Sequence, residues 1–283
     1  MAFTLADLES GGTEDDATEY TTGSFTSTAN KPILLWLCAN YAGTPTTPTV
    51  TKTGCTFTFV EFASAIGLNS KAWLFRGAVT STDTGTATIT YSETMLKSQW
   101  HFLETDGADA SNPIQGSNHS LEGYDNTATS WTATLPGAYT AGNEGQGGYN
   151  GHNNATKTIE SGWTYQTASV GAGNGYSRSA AQQDTDDTSI TFTLDSSYHG
   201  VAGIWEVKAA SSIEQEGFQW YDDDAAEGSA TTLAAQDANI TRAKNTNTRL
   251  RLLLNATGDP ASTQYKLQYK RSADPTSEWE DLA

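Results

Sequence analysis

The sequence predicts an all-β protein: a jelly-roll-like antiparallel β-sandwich followed by a small immunoglobulin-like β-sandwich. Three observations predict it. Threonine fills 44 of 283 positions, and a β-branched side chain fits a pleated, half-exposed surface better than a helix. The segments "TFTFVEF" and "TATITYS" alternate apolar and polar residues with period two, so each presents one face inward. Many short apolar runs follow one another with Gly, Asn, Asp and Ser between them, the pattern of a sandwich or barrel.

The elements follow in order. Residues 1–16 read as a polar, acidic N-terminal arm without periodicity. Strands are expected at 17–28, 32–41, 47–53, 55–62, 72–79 and 86–92. The second of these contains "PILLWLCANY" and reads as one buried strand. "SQWHFLET" at 98–105 is the next strand, and the Gly/Asn/Ser-rich stretch 106–126 reads as a long loop. Further strands are expected at 130–135, 147–153, 158–168, 189–194 and 200–208. "KAASSIEQEG" is small and polar, with no large aromatic before Phe218, and marks a domain boundary. The large domain therefore spans 17–210 and the small one 211–283. In the small domain "GFQWYDD", "ATTLAAQDANIT", "TRLRLLLNAT", "QYKLQYKRS" and "SEWEDL" read as strands.

Composition excludes several function classes. The net charge is −18 and the pI about 4.4. Nucleic acid is therefore not an expected partner, because neutralising phosphates needs a basic face. No apolar run approaches the roughly 20 residues of a membrane helix, so no membrane partner is expected. Acidity keeps a protein soluble; the alternatives are a basic partner or divalent ions. Cys38 and Cys55 both sit in apolar stretches and read as small buried hydrophobes, with a disulfide between neighbouring strands as the alternative. Two cysteines make neither a disulfide framework nor a zinc site.

Motifs for catalysis are lacking: no Walker loop, HExxH, CxxC pair or GxSxG occurs. "GAGNGY" at 171–176 and "GQGGYNG" at 145–151 fail the dinucleotide pattern and read as β-connections. His101, His119, His152 and His199 have no metal-ligand spacing, and His101 reads as a structural strand histidine. Two acidic clusters, Asp184 with Asp186 and Asp187, and Asp222, Asp223, Asp224 with Glu227, are Asp-rich turns or calcium loops. The chain is expected not to be an enzyme and to carry no cofactor, calcium being the alternative. Arg249, Arg251, Lys266, Lys270 and Arg271 read as a solvated face or as a patch for an acidic neighbour.

Aromatic residues supply the candidate contacts. Trp36, Trp73, Trp100 and Trp205 lie in apolar strands and read as core. Trp131, Tyr149, Trp163, Tyr165 and Tyr176 lie in polar, Gly-rich segments. They fit a glycan-binding surface, a protein interface or aromatic packing under long loops. The arm is apolar only at Phe3, Leu5 and Leu8, too few for a core. Such arms stay disordered unless a neighbour ties them down, so these three are expected to anchor on another chain.

Residues 214–283 carry the phrases "EGFQWYDDD", "AAQDANITR", "NTRLRLLLNATGDPAS" and "QYKLQYK". This text resembles a module found in phage, prophage and marine metagenomic proteins. More loosely, "ANKPILLWL", "PTVTKTGCTFTFVEF", "LFRGAV" and "TFTLDSSYHGVAGIWEVKAA" resemble phage-associated sandwich domains. Neither resemblance brings catalytic residues. It implies a structural or adhesive component of a virion. The opening "MAFTLADLESGGTEDD" lacks the features of a secretion signal, which fits synthesis in the host cytoplasm and release by lysis. The expected role is a capsid decoration or head-spike protein on the particle exterior, since heptads and glycine repeats of a long fibre shaft are lacking. The alternative is a tail-fibre adhesin recognising host surface carbohydrate. Expected partners are the major capsid protein or tail proteins and sister copies in a homo-oligomer, with a trimer favoured.

Overall fold

The computed structural model describes residues 4–65, 69–125, 127–152, 157–167, 170–172, 175–182, 187–226, 229–243, 246–257, 268–269 and 280–281. Among the described residues every regular element is a strand, and the chain is all-β and sandwich-like, with antiparallel pairing throughout. In order the strands are β1 (Thr4–Thr13), β2 (Ala17–Thr21), β3 (Phe25–Ser27), β4 (Ile33–Tyr41), β5 (Thr49–Lys52), β6 (Cys55–Ser64), β7 (Ser70–Val79), β8 (Asp83–Gly85), β9 (Thr88–Asp106), β10 (Ile114–Tyr124) and β11 (Ser130–Thr134). They continue with β12 (Glu144–His152), β13 (Lys157–Ile159), β14 (Trp163–Tyr165), β15 (Val170–Ala172), β16 (Gly175–Gln182), β17 (Ser189–Leu194), β18 (Gly200–Val207), β19 (Ser212–Asp222), β20 (Thr248–Thr257), β21 (Gln268–Tyr269) and β22 (Glu280–Asp281). The chain divides into two compact units, residues 1–210 and 211–283.

The first unit is layered. Its main sheet runs β1-β9-β4-β7-β6-β5, with β2 also on β9. The start of β9 pairs with β5, Thr88 to Thr90 against Thr51 to Thr49. The end of β9 pairs with β4 and β1. The path β9-β4-β7-β6-β5 therefore returns to β9, and the sheet closes on itself. The sequence reading expected two strands where β9 runs for 19 residues. The intervening "ETMLK" holds no Gly or Pro to break the ladder.

A second sheet, β10-β18-β12-β16-β14 with β15 on β16, packs beside the first, and a third, β11-β17-β13, packs on the second. Alternation along β4 shows why three layers form. Ile33, Leu35 and Leu37 point into the closed sheet with Trp73, Phe75, Ile89 and Phe102. Leu34, Trp36 and Cys38 point outward and meet Val201, Trp205 and Val207 of β18. The opposite face of β18, Ala202 and Ile204, packs with Tyr149 of β12 and with Trp131, Ala133, Ile190 and Phe192 of the third sheet. Both β4 and β18 are buried on two faces, so their sequences read as continuous apolar runs.

Glycine makes room for a close interlayer contact. Gly148 and Gly203 stand opposite each other in the β12–β18 ladder. A Cβ at Gly203 would lie 3.0 Å from the Trp36 ring, and one at Gly148 3.2 Å from it. The run "GQGGYNG" thus leaves room for an indole, as glycine does where another group approaches the backbone closely.

Several sequence expectations are corrected. The expected strand 17–28 is two strands, β2 on β9 and β3 on β8, and "GQGGYNG", read as a connection, lies in β12. The arm 1–16 contains an edge strand: β1 pairs with β9 from Thr4 to Thr13. A bulge between Asp7 and Glu9 resets the side-chain alternation at Leu8, which hid the strand. The expected loop 106–126 contains β10. The expected strand 158–168 is two short strands, β13 and β14, in different sheets. "GAGNGY", read as a connection, contributes to β15 and β16.

In the second unit β19 and β20 form an antiparallel pair with a bulge between Gln215 and Gly217. The expected strand "ATTLAAQDANIT" instead follows the edge of β19 irregularly. Leu233 N donates to the Trp220 carbonyl at 2.9 Å, and Asp237 N to the Phe218 carbonyl at 2.8 Å. β21 pairs with β22. The remaining strands of the expected immunoglobulin-like arrangement fall largely outside the described residues.

Candidate functional site

The aromatic residues proposed as an exposed contact surface are mostly core. Trp131 is 0% exposed, Tyr149 4% and Trp163 5%. Trp131 and Tyr149 lie 6.4 Å apart, centroid to centroid, Tyr149 and Tyr165 6.2 Å, and Tyr149 and Phe192 5.1 Å. Tyr165 is half-buried, with the Arg178 guanidinium 3.9 Å above its ring. The backbone of Tyr176 is in β16, and its side chain lies outside the described residues. The third sheet covers the Trp131, Tyr149 and Trp163 rings.

The assembly anchor is also revised. Phe3 lies outside the described residues. Leu8 packs on the core of the closed sheet and Leu5 on the cluster between the first two sheets. Both are therefore held by their own chain.

Other candidates resolve similarly. Cys38 and Cys55 are free and belong to different clusters, on opposite sides of the main sheet; burial pushes the Cys55 thiol up to about 12. Asp222 binds Arg242 at 2.6 Å, the Arg249 Nε donates to Asp223 at 2.6 Å, and Asp224 accepts from Thr231 Oγ1 at 2.6 Å. These carboxylates are satisfied within the protein. Arg251 stacks over Tyr221 at 4.1 Å. Asp184, Asp186, Glu227, Lys266, Lys270 and Arg271 lie outside the described residues. Among the described residues no group of three or more His, Cys, Asp and Glu could hold a metal.

His101 sits in a polar chain between layers. Ser10 Oγ donates to Asp7 Oδ1 at 2.7 Å and lies 3.1 Å from His101 Nδ1; Ser177 Oγ lies 2.8 Å from Nε2. Ser10 therefore accepts from Nδ1–H, and Nε2 accepts from Ser177. The order Ser–His–Ser–Asp resembles a catalytic relay. However, His101 and Ser177 are both 0% exposed, so no substrate reaches them.

A marked irregularity lies on β10, the edge strand of the second sheet. Ile114 pairs with Val207 and His119 with Trp205. Four residues, "QGSN" at 115–118, therefore stand opposite one residue of β18, Glu206. Strand β6 has its own bulge at Val60, between Phe59 opposite Phe75 and Glu61 opposite Leu74. Phe59, Val60, Arg76, Ile114, Gly116 and His119 line one hollow of about 190 Å³. On the other side of Gly116 lies a cleft of about 420 Å³, whose walls include Gln115, Ser117, Asn118, Gly137, Thr140 and Glu206. Bulges concentrate where a strand must re-aim its side chains, and here two of them meet at one groove.

Glu206 organises the larger cleft. It is fully buried. Its Oε1 accepts from Thr140 N at 2.7 Å and Asn143 Nδ2 at 2.6 Å, and its Oε2 accepts from Asn118 Nδ2. Asn118 Oδ1 accepts from Gly137 N at 3.0 Å. The carboxylate thus ties β10 to the 136–143 loop, and its charge is met by donors. Tyr139 in that loop has its phenol pKa pushed upward, first by burial and then by the Glu206 charge.

In the smaller hollow His119 Nδ1 contacts Glu61 Oε2 at 2.6 Å, which fixes the imidazole. An Arg76 Nη1 donates to Asn112 Oδ1. The Phe59 ring is 38% exposed. That ring lies on the closed-sheet face of β6, 5.8 Å from Phe75 and 6.4 Å from Phe62, so the face turned to His119 carries Val60, Glu61 and Arg76. Sequence reading missed it. In "TFTFVEF" the extra residue Val60, which turns the following residues toward β10, is visible only in the ladder. No family model, curated protein or solved structure matches the chain.

Proposed function

We propose that this chain is a structural component of a bacteriophage virion, exposed on the particle exterior as a capsid decoration or head-spike protein. The observation that carries the reading is the closed main sheet. A particle surface protein works without chaperones, and unpaired sheet edges are templates for aggregation. Here β9 joins both ends of the path, leaving β1 as a bulged, polar edge. The phage-like text of residues 214–283 supports the same reading. Mass spectrometry of purified particles tests it. Many copies per particle are expected, and absence of the chain from the particles overturns the proposal.

A second reading, a tail-fibre adhesin for host surface carbohydrate, is favoured by the groove at β10. It replaces the buried aromatics as the reason to consider a glycan. Binding of labelled protein to host cells, competed by free host polysaccharide, is its expected outcome.

A further inference from the structure

We propose that the outer edge of the main sheet, built by β1 and β2, takes up a basic extended segment of a neighbouring protein as an added strand. The inference rests on the reading of this chain as part of an assembled particle. It goes beyond that reading by naming the docking edge and the chemistry of what docks there.

The edge is long and open. β1 and β2 follow each other along β9, from Thr4 opposite Asp106 to Thr21 opposite Thr88. Residues 14–16 alone separate them. Among the described residues β9 is the one strand paired with either. In such a ladder half of the backbone N–H and C=O groups turn away from the partner, and at an edge they form a template for another strand. Every residue of β1 and β2 except Tyr20 is exposed or half-buried. The template is also held firmly. Leu8 and Leu5 pack inward, and the Tyr20 hydroxyl lies 2.7 Å from the Asp15 carbonyl and 2.8 Å from the Met95 carbonyl. An edge already fixed in place loses little freedom when a strand is added to it.

Charge selects the occupant. Residues 1–30 hold Asp7, Glu9, Glu14, Asp15, Asp16 and Glu19 and no Lys or Arg, so this stretch contributes −6 of the net −18. Among the described residues Asp7, Glu9, Asp15, Asp16 and Glu19 make no ion pair with Lys or Arg. Their field is felt locally: burial raises the Tyr20 phenol pKa, and the Asp16 and Asp15 charges raise it further. A second copy of this edge would set carboxylates against carboxylates, which destabilises a strand pair, so the charges guard against self-pairing. A strand carrying Lys or Arg instead meets the opposite sign along the edge and is steered to it.

The test uses the full chain and three synthetic peptides matched in length to the 10 residues of β1. One alternates Lys and Thr and one alternates Glu and Thr. The third alternates Lys and Pro, which keeps the charge but cannot pair as a strand. Calorimetry measures binding, and amide hydrogen exchange locates it. The Lys–Thr peptide is expected to bind and to slow exchange in β1 and β2, and the Glu–Thr peptide not to bind. The Lys–Pro peptide should bind at least about tenfold more weakly, for want of main-chain hydrogen bonds. The double variant Asp16→Lys/Glu19→Lys changes two exposed side chains, and circular dichroism checks that it folds. It should weaken the Lys–Thr peptide about tenfold. Equal binding of the two Lys peptides, or slowed exchange confined to other strands, overturns strand addition at this edge. Equal binding of the Lys–Thr and Glu–Thr peptides, or unchanged binding by the double variant, overturns selection by charge. A dimer of the unliganded protein with β1 protected at its interface overturns the foreign partner. No binding of any peptide overturns the docking edge, while the particle reading is decided separately by mass spectrometry of purified particles.

Discussion

Trp36 of β4 stacks on Trp205 of β18 across the gap between the first two sheets, with ring centroids 5.6 Å apart and planes 26° from parallel. Both indoles are fully buried, and both are satisfied by the same strand. Trp36 Nε1 donates to the Tyr149 carbonyl at 3.2 Å, and Trp205 Nε1 to Gln146 Oε1 at 3.3 Å. One strand of the second sheet thereby fixes the spacing of two layers. Trp36→Ala should cost about 3–5 kcal/mol, as large-to-small changes at buried aromatics do. Gly203→Ala, which places a methyl 3.0 Å from the Trp36 ring, should cost about 1–3 kcal/mol through overpacking. Urea unfolding of the first unit measures both.

Deleting residues 1–12 should destabilise the first unit. The deletion strips β9 of one pairing partner from Gln99 to Asp106. It also removes Leu5 and Leu8 from two core clusters and exposes His101. A separable arm would leave the thermal midpoint unchanged, whereas a strand of the sheet lowers it by several degrees. Differential scanning calorimetry distinguishes the two.

Acidification should destabilise the protein through His101. Burial pulls its pKa down from 6.5 to about 3. The unfolded chain therefore takes up a proton near pH 6.5, while the folded chain resists until about pH 3. Stability from this group is complete above the unfolded value and is lost as pH falls from 6.5 towards 3. The slope is at most about 1.4 kcal/mol per pH unit, so the loss from pH 6.5 to 5 is no more than about 2 kcal/mol. Comparing unfolding at pH 7 and pH 5 in the native protein and in His101→Gln isolates it; the variant should show the smaller drop.

Glu206→Ala should be more harmful than Glu206→Gln. Alanine leaves the Thr140, Asn143 and Asn118 donors without their acceptor, at a cost of about 3 kcal/mol, and frees the 136–143 loop. Glutamine keeps one acceptor oxygen and a similar shape. Amide hydrogen exchange at Thr140 reads the difference directly: fast in Glu206→Ala and slower in Glu206→Gln.

The strands that carry the core were legible because their chemistry is local. "PILLWLCANY" and "GVAGIWEV" are apolar at every position but Asn40 and Glu206, a run that a strand buried on both faces sustains. The all-β class follows from such runs and from the threonine alternation. The site was not legible, because it depends on pairing between distant segments. "QGSN" reads as a loop until Glu206, some 90 residues later, is seen opposite all four of its residues. Trp131 and Trp163 look exposed because their neighbours are Ser, Thr and Gly. Their burial is supplied by β17 and β18 from 30 to 70 residues further on. The bulge at Leu8 likewise erases the period-two signal that would have revealed β1.

The central claim is that this chain faces outward from a phage particle. Immunogold electron microscopy of intact particles, with antibody raised against residues 1–210, tests it most directly. The account predicts dense gold on the outside of the capsid of unbroken particles. Gold confined to the tail would move the protein to the adhesin reading. Labelling that appears only after the particles are disrupted, or not at all, would contradict the claim.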